Sequence, residues 1–484
     1  MQRGLRPLKF SLSRLRNIAL AGAVCAVAGL ALGSTSSAPA AEDGLNVAGF
    51  FNTPAANAAI ETKIDKLHPA WVRVFVNWST IEPTPGGYVA GQIDAYRAFF
   101  AALPAGTKVD VDVVLTPSWA SGSSNPSAPP TNDQTYGAFL DYLANALGPS
   151  VTAWEIWNEE NDQGWWTGSV PQYVGLLEAA YSSIKAVDPN SMVLLGGLAA
   201  NDYGYLEAVY NNGGGNAFDA VAVHNDDGCG GNASPYSFGF DSGGQTISGG
   251  SFLGFTSVHS VMVAHGAGSK PIIMTELGWS TAGNDSGCTI AGKQVAGVSE
   301  DTQATYLKEA YHCFAQPQYS YVTAAIWFDM VDFASASAFN DHYGLMSTSL
   351  KPKPAFAAFQ KESEHGDQLS GSCGNFNGPR VTLMDPGPGQ TYSGPLLLAA
   401  KASGKGRRVT QIQLREDGKT ILNFNRQDAH QSGDTLSGQI NWQGARKIAL
   451  GQHTISAVAT YADGLSSTVS VTVDHVPGQH GRRR

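Results

Sequence analysis

Residues 152–161 read Thr-Ala-Trp-Glu-Ile-Trp-Asn-Glu-Glu-Asn, a β-prone apolar run that stops abruptly in an amide and two carboxylates. An amphipathic stretch, Val170–Val187, follows it. A strand followed by a helix is half of a parallel βαβ unit. The same alternation extends in both directions, from about Gly44 to Gln360, with apolar runs at Leu45–Phe51, Trp71–Val76, Lys108–Thr116, Thr152–Asn158, Met192–Leu198, Phe218–His224, Pro271–Glu276 and Val322–Phe328. Helical patterns stand between them at Thr135–Ala146, Val170–Val187, Ser257–His265 and Glu300–Phe314. Eight strand–helix repeats in about 320 residues predict an α/β fold, a (β/α)8 TIM barrel, in preference to an open doubly wound sheet. No G-x-G-x-x-G turn follows the first run, which weighs against a dinucleotide-binding fold.

Several runs end in residues that a barrel interior would not choose for stability. Trp157-Asn158-Glu159-Glu160-Asn161 closes the fourth, His224-Asn225-Asp226-Asp227 the sixth, Thr275-Glu276-Leu277-Gly278-Trp279 the seventh and Trp327-Phe328-Asp329 the eighth. In this fold the carboxyl ends of the strands carry the chemistry. Glu159 and Glu276 suit a reaction that needs two carboxyl groups facing each other across the barrel mouth. Crowding two like charges raises the pKa of one of them, which makes it an acid at neutral pH. Glu155 has the strand parity of Glu159 but lies deeper, so it reads as a buried structural partner. Glu160 and Glu82 read as loop or anchoring residues, Asp329 and Asp332 as solvated loop in preference to substrate contacts, and His342 equally as a substrate contact or as loop packing. Trp119, Trp165 and Trp279 fall just past strand ends, where indole rings can stack on the C–H faces of a sugar. In the adjacent pair Trp165-Trp166, at least one ring is expected to pack. There is no G-x-S-x-G elbow, no H-E-x-x-H and no P-loop.

The segment Trp154–Asn161 resembles the fourth-strand signature of the clan A retaining glycoside hydrolases, and Thr275–Trp279 resembles their seventh-strand nucleophile segment. Val72-Arg73-Val74, Thr116-Pro117-Ser118-Trp119-Ala120, Tyr343-Gly344-Leu345 and Lys353-Pro354 bring the resemblance closest to glycoside hydrolase family 39, with family 5 and exopolysaccharide hydrolases related. It covers residues 44–360. The resemblance implies a retaining β-glycosidase with Glu159 as general acid/base and Glu276 as nucleophile, working without metal or cofactor. It also implies that Asn158 binds the sugar 2-hydroxyl, that Arg73 sits under Glu276, and that His224 and Trp327 line the sugar site. The clan's tyrosine two residues beyond the strand-six histidine is absent, and Asp226 stands there. A non-catalytic carbohydrate-binding barrel is the competing reading.

The flanks fill in the rest. Residues 1–41 begin with Arg3, Arg6, Lys9, Arg14 and Arg16, continue through an apolar stretch from Asn17 to Gly33, and end near Ala38-Pro39-Ala40, the pattern of a cleaved signal peptide. A retained membrane anchor is the alternative, and Val24 before Cys25 argues against a lipoprotein. Cleavage takes five cations and no acids, moving the net charge from −10 to −15. Such an acidic chain is not expected to bind nucleic acid or an anionic membrane. The expected partner is carbohydrate, the expected location is secreted (extracellular or periplasmic), and a monomer is expected. Four cysteines remain, Cys229, Cys288, Cys313 and Cys373, which read as two disulfides with three possible connectivities. Pairing Cys229–Cys288 and Cys313–Cys373 joins neighbouring loops of the expected barrel, and the spacing does not suit zinc. The catalytic domain is expected over 42–362 and a polar, Gly-rich linker over 363–379. Short alternating runs over 380–476 suggest an immunoglobulin-like β-sandwich, followed by a tail over 477–484. The sandwich is expected to serve as a spacer more than as a glycan binder.

Overall fold

The computed structural model describes residues 40–48, 54–229, 234–236, 250–290, 292–333, 338–365, 380–387, 390–403, 408–425, 430–432, 435–461 and 466–477. The expected signal segment, most of the linker and most of the tail lie outside the described residues. Eight strands form a closed barrel: β1 (Glu42–Asn46), β2 (Trp71–Asn77), β3 (Lys108–Val114), β4 (Ala153–Asn158), β5 (Met192–Leu198), β6 (Ala220–Asp227), β7 (Ile272–Trp279) and β8 (Val322–Trp327). Every neighbouring pair is parallel, and β1 closes the ring against both β2 and β8. Helices at Asp133–Leu147, Val170–Val187, Phe255–Ala264 and Glu300–Phe314 match the four periodic stretches to within two residues.

The first strand departs from expectation. It ends at Asn46, whereas the apolar run places it over Leu45–Phe51. The ladder decides the matter, because Gly44 and Leu45 pair with Trp71 and Val72 on one side and with Ile326 and Trp327 on the other. A Cβ on Gly44 would lie 2.9 Å from both Ile326 and Trp71, so a glycine is needed for the strands to close there.

Burial divides the barrel side chains into an inner and an outer set. Valines, leucines and aromatics on the outward face of each strand pack under the helices, in one large core that includes Val111, Ile156, Leu177, Leu277 and Trp327. Each large apolar side chain fully buried there contributes about 1.5–3 kcal/mol, so most of the stability resides in this layer. Inside, at the amino ends of the strands, a small apolar floor is formed by Trp71, Ala153, Leu194, Ala220, Ala222, Ile273, Ala324 and Ile326. Above that floor the interior turns polar.

Two interruptions of strand alternation set which residues face inward at the mouth. On β7 the register against β6 moves from Val223↔Met274 to His224↔Glu276, one extra residue on β7, and the register against β8 slips at the same place. Met274 and Leu277 face the outer core. Between them, Thr275 donates to Glu155 at 3.1 Å and Glu276 accepts from Arg73 at 2.7 Å, so both face inward. This β-bulge re-aims a side chain next to a site, as bulges often do. On β4, Trp157 takes a left-handed backbone with φ 74°, so that Ile156 and Trp157 both pack outward while Asn158 turns in to Arg73.

Cys229 and Cys288 form a disulfide with Cα atoms 5.4 Å apart, joining the segments that follow β6 and β7. Cys313 is also disulfide-bonded. Its expected partner Cys373 lies outside the described residues. Beyond the barrel, one four-stranded and one five-stranded sheet enclose a separate core containing Leu398, Ile412, Leu414, Leu436 and Ile455. Strands Leu396–Ser403, Val409–Glu416, Gly451–Tyr461 and Ser466–His475 are legible as alternating runs, whereas Lys419–Asn425 and His430–Ser432 are not. Both of these are sheet edges, and Lys419–Asn425 buries only Phe424, so too little of either face is covered to write an alternation into its sequence. Among the described residues, no helix is long and apolar enough to cross a membrane.

Candidate active site

Arg73 organises the interior of the mouth. Inward-facing on β2 and fully buried, it extends its guanidinium to four residues on three strands. Nε donates to Glu155 at 2.7 Å, Nη1 to Glu276 at 2.7 Å, and Nη2 both to Asp112 at 2.8 Å and to Asn158 at 2.9 Å. Asp110 lies 3.9 Å from Nε. The ring of Phe75, two residues along β2, sits 4.5 Å from the guanidinium carbon. Arginine has only donors, so Asn158 must present its oxygen to Arg73 and turn its amide nitrogen away.

Glu159 follows Asn158 in a left-handed turn with φ 47°, and its amide donates to the Gly197 carbonyl at 3.0 Å. The turn lifts its carboxyl off the strand toward the mouth, where the side chain keeps 20% exposure. His224 on β6 stands beside it, with Nδ1 3.0 Å from Glu159 and Nε2 3.7 Å from Glu276. One carboxylate oxygen from each glutamate and a ring nitrogen of His224 lie within 4.8 Å of one another. Gly197 makes room for the imidazole, since a Cβ there would sit 1.9 Å from Nε2.

The electrostatics separate the carboxyls. Burial, reinforced by Asp162 and Glu155 and opposed by Arg73 and a hydrogen bond from the Trp165 side chain, pushes Glu159 up to about 7. Burial also holds Asp110, Asp112, Glu160 and Asp329 well above the usual carboxylate range. Glu160 turns away from the mouth toward Tyr173 and Gly196. Asp329, joined to Phe328 by a cis peptide bond, accepts from the Met330 amide.

The structure divides the residues singled out in the sequence. Asn158, Glu159, Glu276, Arg73 and His224 converge. Trp165 joins them at the rim, stacked on Phe75 with ring centroids 6.1 Å apart and planes 9° from parallel. Its neighbour Trp166 is fully buried, edge-on to Trp157. Trp327 and Trp279 do not reach the mouth. Both are buried in the outer layer 6.1 Å from each other, and the Trp327 indole donates to the Tyr343 carbonyl at 3.1 Å. The register explains this, because Trp327 pairs with the outward-facing Leu277. The next residue, Phe328, is half-buried against Tyr343 and Phe333. Trp119 is half-buried, with its indole donating to the Glu82 carbonyl at 2.9 Å and its ring edge-on to Trp78. Asp226 pairs with Gly278 in the β6–β7 ladder, while its side chain lies outside the described residues.

Asp110, Asp112 and Phe75 join the site without having been singled out in the sequence. Their signal is present in Lys-Val-Asp-Val-Asp-Val-Val, where alternate acids in a strand must share one face of the barrel.

No protein-family model matches the chain, and no curated protein matches its sequence. Solved structures do resemble it. A family 39 glycoside hydrolase from the gut symbiont Bacteroides cellulosilyticus is 16% identical, with a TM-score of 0.52 over 83% of this chain and 79% of its own. A GH39 β-xylosidase from Caulobacter crescentus is 18% identical at 0.50, over 78% of this chain and 84% of its own. A monomeric β-xylosidase from the same organism is 16% identical at 0.50, over 90% and 97%. At such identities the likeness is one of fold alone, and the chain shares a (β/α)8 barrel with these three glycoside hydrolase structures.

Proposed function

We propose that the chain is a secreted retaining β-glycoside hydrolase with Glu159 as acid/base and Glu276 as nucleophile. One observation carries the reading: two carboxyl groups in opposite electrostatic settings, with oxygens within 4.8 Å of each other across the mouth of a (β/α)8 barrel. Retaining enzymes keep their carboxyls about 5–5.5 Å apart, whereas inverting enzymes need about 6.5–9.5 Å to admit a water. Glu159, raised to about 7, holds a proton to give to the leaving oxygen. Glu276, 2.7 Å from a guanidinium, is favoured in the charged form that attacks the anomeric carbon. Attack forms the Glu276 ester as the glycosidic C–O bond breaks and the Glu159 proton leaves with the aglycone. The Glu159 carboxylate then takes a proton from water, whose oxygen displaces Glu276. Asn158, its oxygen fixed by Arg73, points its amide donor toward a sugar hydroxyl, and Trp165 flanks the acid. Export is inferred from the basic, apolar and small-residue pattern of residues 1–41 together with the Cys229–Cys288 bridge.

Glu276→Gly, inactive by itself, should regain turnover of an activated aryl β-glycoside with added azide or formate, giving a product of inverted configuration. Absence of rescue in a folded variant would remove Glu276 from the nucleophile role.

A further inference from the structure

Among the described residues, Arg73 is the one cation within salt-bridge distance of four carboxyl groups, Asp110, Asp112, Glu155 and Glu276, and all five side chains are buried or nearly so. If every acid were ionised, Arg73 would face four negative charges, and even a charged His224, 3.9 Å from Glu155 and 3.7 Å from Glu276, would leave two of them uncompensated in a buried site. Burying even one unpaired ion costs several kcal/mol, so protons must enter the cluster. The geometry identifies where. Both oxygens of Glu155 accept, one from Arg73 at 2.7 Å and the other from Thr275 at 3.1 Å, and Glu276 accepts from Arg73 at 2.7 Å. Asp112 gives Oδ2 to Nη2 at 2.8 Å, while its Oδ1 is buried with no hydrogen-bond partner among the described residues.

We propose that Asp112 is a positioning residue that works as a neutral carboxyl: it anchors Nη2 of Arg73, and through that guanidinium it sets Glu276 and Asn158. The inference rests on the proposed retaining chemistry for its kinetic consequence, and on the charge balance alone for its protonation state. Nη2 has two protons. One is held by Asp112 and the other by Asn158, so the planar fork cannot rotate without losing both. Loss of the Asp112 contact leaves one buried Nη2 proton unpaired while Glu155, Glu276 and Asn158 still hold the fork, so the guanidinium tilts toward a new acceptor and misaims the Nη1–Glu276 contact. An ionised Asp112 would be equally harmful, because it would compete with Glu276 for the same charge. The groups facing Asp112 are Arg73, Glu155, Asp110, Glu276 and the buried Tyr136, and burial holds its carboxyl above the usual range against the pull of Arg73. Asp110, beside Glu155, is likewise held above the usual carboxylate range by burial.

The test compares Asp112→Asn with Asp112→Ala. Asparagine keeps an acceptor oxygen and carries no charge, so it imitates the neutral acid. Asp112→Asn should keep kcat and kcat/KM within about threefold of wild type, with both limbs of the pH profile unmoved. Asp112→Ala should lower kcat by about a hundredfold with KM little changed, the scale of a misaimed reacting group. A folded Asp112→Asn variant that loses more than about thirtyfold would overturn the neutral-carboxyl role, and this holds even where Asp112→Ala fails to fold. Infrared difference spectra of wild type against Asp112→Asn give a readout independent of turnover. Over the bands that the other buried carboxyls give in both proteins, one protonated-carboxyl stretch should be present in wild type and lost from the variant. Its absence from wild type would refute the inference by itself, whereas its presence in a protein that cleaves no glycoside would refute the functional reading alone.

Discussion

Replacing Glu159 with glutamine tests the electrostatic argument in two ways. In the folded chain the Glu159 carboxyl titrates at about 7, against an ordinary value of 4.5. Each pH unit between those two values corresponds to roughly 1.4 kcal/mol, so the charged form is disfavoured by up to about 3 kcal/mol on folding. The 20% exposure of the side chain leaves some solvent screening, so the expected size is about 2–3 kcal/mol. The native state binds the extra proton between pH 4.5 and about 7, so this contribution to stability is fully present below 4.5 and is lost as pH rises through about 7. Glutamine cannot ionise and escapes the loss. The difference in unfolding free energy between Glu159→Gln and wild type should therefore grow in the variant's favour by about 2–3 kcal/mol from pH 4 to pH 8. Calorimetric melts of both proteins at the two pH values measure it. In parallel, the alkaline limb of wild-type kcat/KM should fall near pH 7, with poor leaving groups suffering most from the substitution. A difference that stays constant with pH, together with a limb near the ordinary 4.5, would refute the claim that burial loads this residue with a proton.

Two other substitutions probe the scaffold. Gly197→Ala places a methyl 1.9 Å from the His224 ring, so it should displace the imidazole and cut activity by about tenfold or more while far-UV circular dichroism stays unchanged; full activity would detach His224 from the site. Cys229→Ser with Cys288→Ser opens a closure spanning 59 residues, worth about 4 kcal/mol on chain-entropy grounds, and should lower the melting temperature and raise KM; unchanged values would mean that the loops hold themselves.

Much of the barrel is legible in the sequence because period-2 and period-3.6 patterns are local. All eight strands and the four named helices follow from them, and so do the two glutamates, since a carboxylate at the end of an apolar run has few structural uses. Facing at the strand ends is less legible. Trp327 and Trp279 read as sugar platforms, yet they pack outward, because the bulge on β7 and the register of β8 are tertiary properties. The acids of β3 are visible in the sequence, but their meaning depends on Arg73 arriving opposite them from another strand. In the second domain, Tyr392 and Trp442 both pack on or against the sandwich core, which leaves the spacer reading as an expectation.

The extra residue in β7 makes the strand tolerant of one kind of sequence change and intolerant of another. Outward positions such as Met274 and Leu277 can drift among apolar side chains of similar volume with modest loss. A single deletion between Ile273 and Leu277 is different in kind. It removes the second inward position, restores strict alternation, and leaves room for only one of Thr275 and Glu276 to face the barrel. Whether Glu276 keeps facing the barrel interior therefore depends on the length of one strand segment as much as on the identity of any side chain in it. Lineages that descend from it should vary there by substitution and hardly ever by insertion or loss.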